Sequence, residues 1–275
     1  MSSSRVLIPV AGVVLAAVVV GGLAVTGNLP AFSSEGRKQK QLTSALDDLA
    51  ATSPDFAVAV LDKANDTDYS YEGSEEFDTA SIVKVSILAC TELRAQDEKA
   101  DLTDEQQSLA EKSIRASDND ATTALFKALG SADGLTACDE RLGMKETEVN
   151  AAWGLTKTTA DDQARLLGNL VSDDSELEVE RRQYVFDLMG SVNADQDWGV
   201  PSAAKEGESA PVKNGWDTRS ADDNLWVVNS IGRIVSDDRD TNVSVVVLTR
   251  GDKTQEDGIA LVEKIAALTR EKLGY

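Results

Sequence analysis

The 275 residues carry 48 acidic against 27 basic side chains, a formal net charge of −21, and 41% of them are apolar. That length and apolar content suffice for one large domain or two intimate subdomains around a real core. The charge argues against a nucleic-acid partner, because phosphate binding needs a basic footprint, and the acids are scattered as on a solvated surface. There is no histidine. A Ser-His-Asp triad and a His-ligated zinc site are therefore impossible, and two cysteines cannot make a thiolate zinc site alone. No metal or cofactor is implied. A nucleophile in this chain needs another base, and lysine is the main candidate, since burial brings its pKa towards neutrality.

In chain order, Val6 to Thr26 is an uncharged run of 21 residues preceded by Arg5. At about 1.5 Å per residue it is long enough for a bilayer core, so residues 1–33 read as a signal anchor or a cleaved signal peptide. The predicted location is extracytoplasmic, anchored in the membrane or secreted after cleavage. Gly36 to Ala51 predicts an amphipathic helix with Leu42, Ala45, Leu46 and Leu49 on one stripe, ended by Pro54. Phe56 to Leu61 predicts a strand, with Tyr69 to Tyr71 as its hairpin partner. From Thr79 to about Val200 the pattern is helical almost throughout. Strands return at Val212 to Trp216, Leu225 to Val235 and Val243 to Leu248, and a last helix covers Thr254 to Lys272. Short links between the late strands favour antiparallel pairing. The expected fold is α+β: an antiparallel five-stranded sheet of residues 34–78 and 206–275, flanked by the N- and C-terminal helices, with residues 79–205 inserted as an all-α domain. Cys90 and Cys138 fit an export route that permits a disulfide, and equally fit two small buried side chains.

Three short motifs carry possible chemistry. In Asp78-Thr79-Ala80-Ser81-Ile82-Val83-Lys84, Asp78 or Thr79 is placed to cap a helix whose first turn holds Ser81, with Lys84 one turn on. The residues that follow are apolar all round, which predicts a buried helix and a lysine with a lowered pKa. A neutral amine beside a serine hydroxyl makes a base and nucleophile pair, and the helix N-terminus favours an oxyanion there. A capped helix with a snorkelling lysine explains the same letters. Ser117-Asp118-Asn119 reads as a capping turn, or as a proton relay (Ser117) beside an amide that holds a substrate carbonyl or Lys84 (Asn119). Lys213-Asn214-Gly215-Trp216 reads as a solvent-facing edge strand with a glycine bulge, or as a substrate-binding strand. In the second reading Lys213 attracts a carboxylate, Gly215 lets substrate backbone lie along the strand, and the N–H groups of Trp216 and Ser81 form an oxyanion hole.

With these motifs in this order, the chain resembles the class A β-lactamase and penicillin-binding-protein superfamily, whose motifs are S-x-x-K, S-D-N and K-T-G. The resemblance runs from about Gly36 to the C-terminus. It implies a serine hydrolase with Ser81 as the acylated nucleophile, Lys84 as base, Ser117 as proton relay, Asn119 as substrate contact and Lys213 as anion-binding residue. The implied substrate is a small-molecule or peptidoglycan-type amide or ester bearing a carboxylate, and a monomer is the default.

The chain also departs from the pattern. Asn214 stands where a Thr or Ser offers its hydroxyl to the substrate carboxylate. The stretch from Lys84 to Ser117 is short, which predicts a more open cleft. The Ω-loop glutamate that activates the deacylating water has no secure counterpart. Matching Glu146 to Asn150 with the pattern makes Glu146 the base, whereas aligning Leu142-Gly143 and Thr158-Thr159 leaves none. Asp197 to Pro201 and Asn229 to Arg233 look like a little-characterised group of serine hydrolases within the superfamily. The expectation is acylation at Ser81 with slow hydrolysis. Its rivals are a genuine class A β-lactamase with an atypical deacylation base, and an inactive cell-envelope binding module.

Overall fold

A computed structural model describes residues 34–275; the apolar run Val6 to Thr26 lies outside them. Helix α1 (Ser34–Ala50) buries Leu42, Leu46 and Leu49, the stripe expected from their spacing. Strand β1 (Asp55–Asp62) pairs antiparallel with β2 (Thr67–Tyr71), and β3 (Phe77–Asp78) leads into the buried helix α2 (Val83–Asp97). Helices α3 (Asp104–Arg115), α4 (Asn119–Ala128) and α5 (Ser131–Arg141) follow, then β4 (Lys157–Thr158), α6 (Ala160–Val171) and α7 (Val179–Met189). The chain closes with β5 (Glu208–Ser209), β6 (Val212–Arg219), β7 (Leu225–Ser236), β8 (Asn242–Asp252) and α8 (Gln255–Leu273). Local chemistry sets several of these starts. Thr103 and Gln106 form a reciprocal capping box on α3, and Thr159 and Thr254 cap α6 and α8.

The antiparallel sheet runs β2-β1-β8-β7, and β6 and the two-residue β5 share the outer edge of β7. Its α+β architecture is the expected one, with β5 added to the five predicted strands. Side chains alternate across the sheet. Val58, Val60, Val243, Val245 and Val247 pack under α1 and α8, while Ala57, Ala59, Ile231, Val246 and Leu248 face the helical part of the chain. Both faces are covered, which explains the continuous apolar run of β8. The helical stretch is interrupted by a β3–β4 ribbon and by a bridge between Glu148 and Lys157.

Inside the helical part α2 is buried on every side from Val83 to Leu93, as its apolar periphery predicts. A disulfide joins Cys90 on α2 to Cys138 on α5, deciding between the two readings of the cysteines. Beside it lies Asp139, which is buried; one carboxylate oxygen accepts the Ser86 hydroxyl and the other has no partner. Burial pushes Asp139 up to about 7; the Ser86 hydrogen bond opposes this, and the charge of Asp162 adds to it.

The unfolded chain ionises this group from 3.8 while the fold keeps it protonated to about 7. Asp139 therefore contributes stability at low pH that is lost as pH rises across that window, by on the order of 1 kcal/mol per pH unit. Urea titrations of the wild type and Asp139→Asn should diverge in the variant's favour from pH 4 to 7 and run parallel above. A constant difference across that range would refute the assignment.

Candidate active site

The Ser81 segment is clamped before it turns. Asp78 pairs with Lys157 across the β3–β4 ribbon, and the Thr79 N–H donates to the Thr156 carbonyl at 2.9 Å. Asn229, buried in the middle of β7, donates from one amide nitrogen to the carbonyls of Asp78 (2.8 Å) and Thr79 (3.1 Å). Ala80 then takes a left-handed conformation at φ 46°, and Ser81 sits in a short 3-10 turn that runs into α2. A non-glycine residue held there costs about 1–3 kcal/mol, so the clamps around it matter. Neither expected cap forms. The Asp78 carboxylate is drawn to Arg219 (2.6 Å) and Lys157 (2.7 Å), and the buried Thr79 hydroxyl has no partner. The first N–H groups of this helix are thus left without a side-chain acceptor.

Lys84 does not snorkel: it is fully buried. Its amine donates to the Ser117 carbonyl (2.6 Å), the Ser117 hydroxyl (3.0 Å) and Asn119 Oδ1 (2.8 Å). No hydrogen bond joins it to Ser81. Burial pushes the amine down to about 7, against the opposing effect of the Asp118 carboxylate. The Ser-Asp-Asn turn caps a helix and also places Ser117 and Asn119 against Lys84. Asp118 caps α4 by accepting the Ala121 N–H at 2.7 Å, while Ser117, left-handed at φ 54°, and Asn119 face Lys84.

Lys213 is buried too, not solvent-facing as an edge-strand lysine would be. Its amine donates to the Ser117 hydroxyl (3.1 Å) and to the Asn214 carbonyl (2.8 Å). Burial lowers its pKa well below the ordinary lysine value, and the nearby Lys84 lowers it further. Ser117 Oγ therefore sits between two buried amines, and neither amine has an ion-pair partner among the described residues.

Strand alternation corrects two expectations on β6. Val212, Asn214 and Trp216 lie on the α1–α8 side of the sheet, and Lys213 and Gly215 on the helical side. The Asn214 amide is accordingly spent on the carbonyls of Gln196 and Trp198, both at 2.9 Å, and not on a substrate carboxylate. Gly215 makes room for the protein itself: a Cβ there would lie 2.7 Å from the Ser81 nitrogen, 2.8 Å from the Ile82 nitrogen and 2.8 Å from the Thr79 oxygen. No bulge occurs at Gly215, since the β6–β7 register is regular. The register also orients Trp216. The Arg233 N–H bonds the Pro211 carbonyl, which makes that position a hydrogen-bonded pair. Two-residue alternation then pairs Lys213 and Gly215 with β7 and turns the Trp216 N–H away from β7 at the open edge.

Glu146 stands apart from this group. It is exposed, accepts the Thr159 hydroxyl at 3.2 Å and approaches Arg165 at 3.5 Å. Sequence reasoning missed three contributors. Trp153, in the turn Trp153–Leu155, places its ring centroid 5.0 Å from the Lys84 amine. Arg219 ties Asp78 to the Gly154 carbonyl. Asn229 gave the one available signal, a lone amide in an apolar strand.

Comparison with known proteins follows this geometry. A family model described as the beta-lactamase enzyme family matches residues 105–273, more than half of the chain; the match includes Ser117, Asn119 and Lys213 and begins after Lys84. A Mycobacterium tuberculosis protein named as a lipoprotein, LppW, is 25% identical over 189 residues, and the match spans 66% of this chain and 60% of that protein's length. Among solved structures, a beta-lactamase from Xanthomonas campestris superposes with a TM-score of 0.75 at 17% identity, covering 86% of this chain and 99% of that one. A reconstructed ancestral class A beta-lactamase gives 0.71 at 23% identity, with 84% and 99% covered.

Because backbone atoms surround the missing Cβ of Gly215, Gly215→Ala forces strand and turn apart. It should lower stability by about 1–3 kcal/mol in a denaturant titration. A variant as stable as the parent would show that β6 does not press on the Ser81 turn.

Proposed function

The chain belongs to the beta-lactamase enzyme family, and from that premise we propose that it is a serine hydrolase that forms an acyl-enzyme at Ser81. The observation that carries this reading is the Ser117 hydroxyl held within 3.1 Å of two buried lysine amines. Two such amines without a carboxylate partner bind an anion and spare a neutral base. Lys84 takes the proton of the Ser81 hydroxyl as Oγ bonds to the substrate carbonyl carbon. The proton then passes through Ser117 Oγ to the leaving group. The outward N–H of Trp216 and the N–H of Ser81 stabilise the oxyanion. Lys213 draws the substrate carboxylate, which supplies the counter-charge its burial withholds.

The substrate class is an amide or ester bearing a carboxylate, of β-lactam or peptidoglycan type. The site sits outside the cytoplasm, carried by the Val6 to Thr26 segment or secreted after its removal. The disulfide suits that compartment, and the mycobacterial relative is named as a lipoprotein. Both cysteines of this chain are spent in the disulfide. A second reading, a genuine β-lactamase with an atypical deacylation base, is favoured by the class of its structural neighbours.

A fluorescent penicillin should label the wild type and not Ser81→Ala, with the adduct on Ser81 by mass spectrometry. Absence of label on folded wild-type protein would instead support a binding module without catalysis. Nitrocefin should give a burst of about one equivalent; many turnovers per enzyme would establish the second reading.

The pH profile tests the base. Lys84 must be unprotonated to act, and its pKa lies at about 7. The acylation rate should therefore fall about tenfold per pH unit below that value and level off above it. A profile flat from pH 5 to 8 would exclude Lys84 as the base.

A further inference from the structure

Building on the acyl-serine reading, we infer that Trp153 excludes water from the acyl-enzyme, so that the protein holds its acyl group instead of turning it over. Hydrolysis forms a bond from a water oxygen to the acyl carbon and breaks the bond from that carbon to Ser81 Oγ. One water proton must reach the departing Oγ, and Lys84 is the amine placed to carry it. The amine is already engaged by Ser117 and Asn119, and the indole lies against it at 5.0 Å from the ring centroid. An aromatic face offers an approaching water neither a strong donor nor a strong acceptor.

The ring is fixed, not draped. Its Nε1–H donates to Thr123 Oγ1 at 3.1 Å, and that hydroxyl donates to the Asn119 carbonyl at 2.8 Å. The indole is thereby anchored to the same first turn of α4 that holds Lys84. Its own loop is pinned by Thr156 N–H to the Trp153 carbonyl (3.1 Å), Asn150 N–H to the Thr156 hydroxyl (3.1 Å) and Arg219 to the Gly154 carbonyl (3.3 Å). No carboxylate of this loop bonds Lys84, Ser117 or Asn119, and Glu146 is engaged with Thr159 and Arg165. The loop thus presents an apolar plate to the amine and no base for water.

The test labels Ser81 with fluorescent penicillin, chases with unlabelled penicillin and follows loss of the label by gel fluorescence and intact mass. Trp153→Ala should label and then lose the adduct at least tenfold faster than the wild type. Trp153→Phe, which keeps a ring over the amine, should retain the long lifetime. An adduct lifetime unchanged or lengthened in Trp153→Ala overturns this inference and leaves the acyl-enzyme reading intact. No label on the wild type overturns both. Should Trp153→Ala lose its cooperative melt, Thr123→Val decides: releasing the indole should shorten the lifetime, and an unchanged lifetime refutes the role.

Discussion

Two buried lysine amines share one serine oxygen, and most of the site's construction follows from that. Two buried ammonium groups at 3.0 and 3.1 Å from Ser117 Oγ, with no ion-pair partner of their own among the described residues, are costly to keep charged together. Burial lowers the pKa of both amines, and Lys84 lowers that of Lys213 further while the Asp118 carboxylate opposes the shift at Lys84, which favours the neutral amine that the proposed role of Lys84 requires. An imidazole reaches this state unaided, but a chain without histidine needs the environment to produce it. The arrangement draws on three separate elements: α2 for Lys84, the left-handed Ser117 turn, and β6 for Lys213. None of them generates it locally. The surface charge of the molecule has the opposite sign, so the anion preference argued for Lys213 is a property of this interior and not of the whole.

The meeting of sheet and helical part is equally constrained. The Ser81 turn can touch β6 only because residue 215 lacks a Cβ, and it stays there because Asn229 holds the two preceding carbonyls. β6 must also be an edge strand. Had another strand paired beyond it, the outward N–H of Trp216 would be consumed in a ladder and could not serve as the proposed oxyanion donor. Open edges are usually a liability for aggregation. Here the β6 edge is turned inward against the Ser81 turn, which protects it.

Periodicity made much of the fold legible. The Leu42, Leu46 and Leu49 stripe, the apolar run of β8 and the encircling apolar residues of α2 each have a single physical solution, and each element formed as its pattern requires. The Ser117 turn was legible as a cap and as a relay, and both readings proved compatible because Asp118 and its neighbours face different ways. What failed depended on which side of an element a residue occupies. Asn214 was read from a motif as facing substrate, but strand alternation sends it to the opposite face. Asp78 has the chemistry of a cap, and long-range attraction to Arg219, 141 residues away, took it instead. Trp153 and Arg219 had no local signature, because their importance lies in what the fold brings beside them.

Arg219 shows how that tertiary layer works. It is nearly buried, pairs with Asp78 just ahead of the nucleophile turn, and reaches the Gly154 carbonyl in the loop that carries the indole. A buried ion pair is weak evidence for stability, since desolvation of both ions offsets their attraction. Its value here is register. One guanidinium with several directional donors ties the end of β6, the approach to Ser81 and the Trp153 loop into a single unit. The Trp216 N–H, the Ser81 hydroxyl and the indole then keep their relative positions as one body. A flexible loop would admit water whenever it opened, and a loop stapled to β6 through Arg219 has less of that freedom. In the proposed mechanism, the contacts that position the acyl-forming groups also hold the indole against Lys84, which would couple acylation to retention of the acyl group.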